Sequence, residues 1–137
     1  MFGYHKKLLR VNLTDRKIEV EDLEEKLIHK YVGGLGIEAK ILYEETGPET
    51  NPLSPENILM AVTGPYTGTG VPTSGRHHMV ARSPLTGLFG EANVGGSWAV
   101  HFKRGGFDGI VIKGRAEAPI YLWIHDGEIE VKEASYL

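Results

Sequence analysis

Arg76, Asn93, Gly95 and Gly96 are the residues of this chain whose types and spacing could do chemistry, and that chemistry is the holding of a large anion. Gly95-Gly96 stands just ahead of a segment of helical character that starts at Ser97. The first amides of a helix have no internal partner and lie at the positive end of its dipole, so a phosphate settles there with little further help. Arg76 follows Gly75 at the start of an extended segment, where a guanidinium can grip a phosphate through two donors. Asn93 could cap the helix with its side chain, or offer a carbonyl oxygen to a hard cation such as Mg²⁺. Residues 64–114 around them hold twelve of the chain's 18 glycines. Glycine is costly to order and is kept where φ is positive or where another molecule comes close. Such a stretch predicts a surface of bare backbone built around a large polar ligand.

The competing reading is structural: Gly64, Gly68, Gly70 and Gly75 serve turns, Arg76 is solvated, and Asn93 caps the helix. The stretch is neither a dinucleotide fingerprint nor a Walker A loop, because it lacks the strand–GxGxxG–helix order and the Gly-Lys-Ser/Thr. His77-His78 has the look of a metal pair, but neighbours on a strand point to opposite faces. His101 reads as a half-buried surface residue and Asp108, in Gly-Phe-Asp-Gly, as a turn former.

The elements that must position these residues follow from periodicity and punctuation. Residues 6–21 alternate loosely about the polar turn Thr14-Asp15-Arg16-Lys17 and predict a hairpin. Asp22 is placed to cap a helix over residues 23–32, Gly33-Gly34 breaks it, and a second helix covers residues 35–45. The apolar run at residues 58–63 predicts a strand buried on both faces. Strands are predicted at 77–82, 88–92 and 110–112, with a short helix at 97–104 between the last two. Asp126-Gly127 joins strands at 120–125 and 128–132 in the strongest hairpin signal of the chain. The fold class is α+β, with strand-rich mixed sheets and about three short helices.

Composition bounds the function. At 137 residues the chain makes one domain with a real core, and its hydrophobic content of 41% is that of an ordinary globular protein. A net charge of −3 and scattered basic residues argue against nucleic-acid binding. The absence of cysteine excludes a disulfide framework, a thiolate zinc site and any iron–sulfur cluster held by this chain alone. No apolar run approaches the length of a membrane span and no signal-peptide core is visible, so the expected location is the cytoplasm.

Many short blocks, in order, resemble the N-terminal domain of the tungsten-containing aldehyde:ferredoxin oxidoreductase family. They are Leu9-Arg10-Val11-Asn12-Leu13, Tyr31-Val32-Gly33-Gly34-Leu35-Gly36, Pro52-Leu53-Ser54-Pro55-Glu56-Asn57 and Gly64-Pro65-Tyr66-Thr67-Gly68-Thr69. Gly75-Arg76, Ser83-Pro84-Leu85-Thr86-Gly87, Ala92-Asn93-Val94-Gly95-Gly96 and Gly106-Phe107-Asp108-Gly109-Ile110-Val111-Ile112 continue the match. The resemblance implies that residues 1–137 are the base on which a bis-pyranopterin cofactor with tungsten or molybdenum sits, and the first part of a much longer chain. It implies that Arg76 meets pterin or phosphate, that Asn93 meets Mg²⁺ through a carbonyl oxygen, and that Gly95 and Gly96 offer backbone to the cofactor. A 4Fe-4S cluster is expected only on the remainder of the chain. Expected partners are ferredoxin, the remaining domains of the same enzyme and a further copy in a homo-oligomer. Taken alone, residues 1–137 are expected to be inactive. Two alternatives stay open: a stand-alone, non-catalytic pterin-binding or subunit module, and part of a related reductase of aromatic thioesters.

Overall fold

A computed structural model describes residues 2–136. In chain order the elements are β1 (Lys7–Asn12), β2 (Lys17–Asp22), α1 (Glu25–Tyr31), α2 (Leu35–Glu45), β3 (Ile58–Thr63), β4 (His77–Arg82), β5 (Phe89–Val94), α3 (Trp98–Arg104), β6 (Gly109–Lys113), β7 (Ile120–His125) and β8 (Glu128–Glu133). Six strands form one mixed sheet in the order β2-β1-β6-β3-β4-β5, and β7-β8 is a separate two-stranded sheet. The β1–β6 pairing is parallel, whereas β6–β3, β3–β4 and β4–β5 are antiparallel.

Side-chain alternation along the strands makes two cores. Leu8, Ile58, Met60, Val62, Val80 and Val111 face one way and pack under Ile28 of α1 and Ile37, Ile41 and Leu42 of α2. Leu9, Val11, Ala61 and Ile110 face the other way, against Phe102 of α3, Phe107 and the partly buried Leu122, Ile124 and Ile129 of the β7–β8 hairpin. The domain is therefore three layers, with the sheet in the middle. Asp126 and Gly127 both have positive φ, +48° and +84°, as the predicted two-residue turn requires.

Three expectations need correction. Asp22 is the last residue of β2 and caps nothing, and α1 begins only at Glu25. The Leu23 amide donates to the Lys6 carbonyl at 2.8 Å and its side chain is buried, so hairpin pairing and core burial hold this segment extended. In β3, Leu59 is 42% exposed, because its face of the sheet opens into an apolar cleft beside Trp98 and Ile112. Strand β5 runs on to Val94, so Asn93 lies inside a strand and pairs in register with His78.

Candidate functional site

The four residues singled out by type come together where β4 begins and β5 ends. Gly75 and Gly96 face each other so closely that a Cβ on Gly75 would stand 3.1 Å from the Gly96 carbonyl oxygen. That approach brings the Arg76 guanidinium against β5. The Arg76 Nε–H donates to Asn93 Oδ1 at 2.7 Å, and a Cβ on Gly95 would lie 3.4 Å from Arg76 Nη1. The Arg76 backbone is fixed from behind, its carbonyl accepting from Thr67 Oγ1 at 2.9 Å, with Thr67 itself buried. Arg76, Asn93, Gly95 and Gly96 are all exposed. Gly96, at φ +107°, has no atom within 4 Å of where its Cβ would be. A guanidinium edge thus stands beside open backbone with no side chain above it. That arrangement can hold an anion, and its donors fit a phosphate-bearing cofactor.

Asn93 does not cap α3. Its Nδ2 lies 3.2 Å from His78 Nε2, and His78 Nδ1 lies 3.3 Å from Glu91 Oε2. The two adjacent histidines do point to opposite faces. His78 looks toward Gly34 on the α2 side, while His77 is buried with its ring 4.6 Å from that of Trp98. Burial, and then the neighbouring His78, hold the His77 imidazole below its ordinary pKa, so it packs as a neutral ring. Trp98 stacks in turn on Phe102 at 4.9 Å and 12°, fixing the start of α3 under Gly95-Gly96. His101 is exposed rather than half-buried. Among the described residues, no group of three or more His, Asp or Glu is placed to hold a metal ion. A groove of ≈ 470 Å³ runs from Arg76 and His78 past Tyr66 and Val71 to Gly33-Gly34.

Sequence reasoning missed two groups that hold this surface. Asp108 is not a surface turn former. It is buried, accepts from the backbone amides of His5, Lys6 and Lys7 at 3.2, 2.5 and 3.3 Å, and takes the Lys103 Nζ at 2.5 Å. Lys103 also reaches Thr63 Oγ1 at 3.3 Å and the Gly64 carbonyl at 3.4 Å. The pair therefore ties the N-terminal segment and α3 to the start of the glycine-rich loop. The second group is Glu38 on α2, fully buried, whose Oε1 accepts from the Val62 amide at 3.0 Å while Oε2 has no partner. Desolvation by burial, opposed by the Val62 amide and assisted by the charge of Glu91, raises its pKa to about 8. A usable signal was present for Glu38: it shares the helical face of Ile41 and Leu42, at spacings of three and four residues.

No helix among the described residues is long and apolar enough to cross a membrane. The tungsten-containing aldehyde ferredoxin oxidoreductase of Pyrococcus abyssi is 46% identical over 135 residues, covering 98% of this chain and 22% of that protein. The enzyme of the same description from Pyrococcus furiosus is 43% identical over 137 residues, covering 100% of this chain and 23% of its own length. A solved structure, the active-site complex BamBC of benzoyl coenzyme A reductase with 1,5-dienoyl-CoA, superposes with a TM-score of 0.97 at 34% identity. That match covers 98% of this chain and 21% of the solved one. The chain thus spans about a fifth of the length of the relatives it matches. The model of the aldehyde ferredoxin oxidoreductase N-terminal domain matches residues 8–137, and with these relatives it shows that the chain belongs to the aldehyde ferredoxin oxidoreductase family, as the N-terminal domain.

Proposed function

We propose that this domain cradles the cofactor of a tungstopterin, iron–sulfur oxidoreductase that oxidises aldehydes to carboxylic acids with ferredoxin as electron acceptor. The observation that carries the reading is the Arg76 guanidinium, held at Nε by Asn93 beside the open backbone of Gly95 and Gly96. In this reading the Arg76 Nη groups donate to a cofactor phosphate, and the backbone of Gly95 and Gly96 lies against the pterin. Asn93 Oδ1 is taken by Arg76, so the oxygen that Asn93 would turn toward Mg²⁺ is its backbone carbonyl. The bound tungsten centre would supply the two-electron chemistry, while the protein contributes orientation and electrostatics. With no cysteine here, the 4Fe-4S cluster belongs to other parts of the longer enzyme.

A second reading, reduction of an aromatic thioester, has the BamBC likeness in its favour. The aldehyde enzymes match at higher identity, and the aldehyde reading is preferred for that reason. The test is ferredoxin reduction by the full-length protein, purified without oxygen, given aldehydes in one arm and 1,5-dienoyl-CoA, the reduced thioester that can give up two electrons, in the other. Aldehyde-dependent reduction of ferredoxin is expected. Turnover of the thioester alone would replace the first reading with the second.

A further inference from the structure

Four side chains, Arg76 just before β4, His78 on β4 and Asn93 and Glu91 on β5, form one directional chain of hydrogen bonds. Arg76 Nε can only donate, so the Asn93 atom 2.7 Å away is the carbonyl Oδ1. The Asn93 NH₂ therefore faces His78 Nε2 at 3.2 Å, and that nitrogen has to accept. An imidazole that accepts at Nε2 carries its hydrogen on Nδ1, which lies 3.3 Å from the Glu91 carboxylate and donates to it. Register places the chain: His78 pairs with Asn93 across the strands, and Glu91 is the next residue along β5 on the same face.

We propose that His78 and Glu91 are positioning residues for the cofactor site: they fix the amide orientation of Asn93, and through it the direction in which Arg76 presents its two free Nη groups. The proposal rests on the assignment of Arg76 to the cofactor made above. Without an acceptor at position 78 only the Arg76 Nε–H holds the Asn93 amide, and it turns over more readily. Its NH₂ would then oppose the Arg76 Nε–H, and the guanidinium would leave the glycine backbone. A group that orients a ligand-holding side chain from behind commonly matters about tenfold for retention.

The experiment uses the full-length enzyme and reads tungsten and pterin per chain after dialysis, with far-ultraviolet circular dichroism and a melt of each variant. Arg76→Ala is expected to lower retained cofactor tenfold or more. His78→Leu should lower it several-fold, and His78→Gln, whose amide oxygen can still accept from Asn93, should restore it. In an Arg76→Ala background His78→Leu should have no further effect, because its action passes through Arg76. Loss in Arg76→Ala with none in His78→Leu, or equal losses in His78→Leu and His78→Gln, overturns the relay and leaves the site assignment standing. Additive losses mean a merely structural histidine and also overturn it. Full retention in Arg76→Ala overturns the site assignment, and the relay with it. If His78→Leu fails to fold, the single and double variants carrying Gln decide: His78→Gln must retain cofactor, and must lose it only together with Arg76→Ala.

Discussion

Replacing Lys103 with Met tests how the glycine-rich surface is held in place. The side chain keeps its length and apolar stem but loses the ammonium that lies 2.5 Å from Asp108 Oδ1 in the interior. Asp108 is left as a buried carboxylate still facing the backbone amides of His5, Lys6 and Lys7. Breaking a buried pair at one end typically costs 3–5 kcal/mol. Three remaining amide donors stabilise the lone carboxylate, so Lys103→Met belongs at the low end, about 3 kcal/mol. Asp108→Asn removes the anion, leaves Lys103 uncompensated and weakens the three amide contacts, and belongs at about 4 kcal/mol or more. In the double variant neither charge remains, and the loss should fall short of the sum by about 2 kcal/mol. Urea unfolding of the 137-residue chain followed by circular dichroism measures all three, with an unchanged m-value certifying the same unfolded reference. A loss below about 1 kcal/mol in Lys103→Met, or strict additivity of the two changes, would refute the argument.

Glu38 has a folded pKa of about 8 against an ordinary 4.5, so the neutral acid is the form the fold prefers. The sign follows: this stability is fully present below about pH 4.5 and is lost as pH rises to about 8. Glu38→Gln keeps an acceptor for the Val62 amide, so urea midpoints should show it less pH-dependent than wild type across that window and more stable at its alkaline end; parallel curves would count against this. Phe102→Ala removes a ring that is 5% exposed and stacked on Trp98, and should cost about 3–5 kcal/mol in the same assay. Arg76→Ala, an exposed change, should leave the melting temperature of the 137-residue chain where it was; a large drop would make Arg76 a structural residue. Without cysteine the same chain, prepared anaerobically, should show no iron–sulfur absorption, and a reproducible cluster spectrum would contradict the division of labour argued above.

Local signals carried most of the elements. The apolar run of β3, the helical spacing of Leu35, Ala39 and Leu42 in α2, and the Asp126-Gly127 turn each announce one element from within it. What stayed hidden was non-local. The parallel β1–β6 pairing joins residues a hundred positions apart, and no pattern within either strand distinguishes it from an antiparallel neighbour. Asn93 reads as a cap until its register opposite His78 is known, because asparagine is favoured at helix caps and depleted in strands. Asp108 reads as a turn former, and its burial with Lys103 stayed hidden, for a physical reason: charge normally stays in water, and the partner that permits burial lies across the turn after α3. Arg76, Gly95 and Gly96 stood out by residue type, and only the close approach of Gly75 to Gly96 shows that they share one place on the surface.

The most direct measurement is a structure of the full-length protein carrying its tungsten cofactor. A cofactor phosphate or pterin is expected within hydrogen-bonding distance of the Arg76 Nη groups, with the Gly95-Gly96 backbone against it and the Arg76 Nε–H still donating to Asn93 Oδ1. A cofactor that touches none of these residues, seated elsewhere on this domain or away from it, would contradict the account.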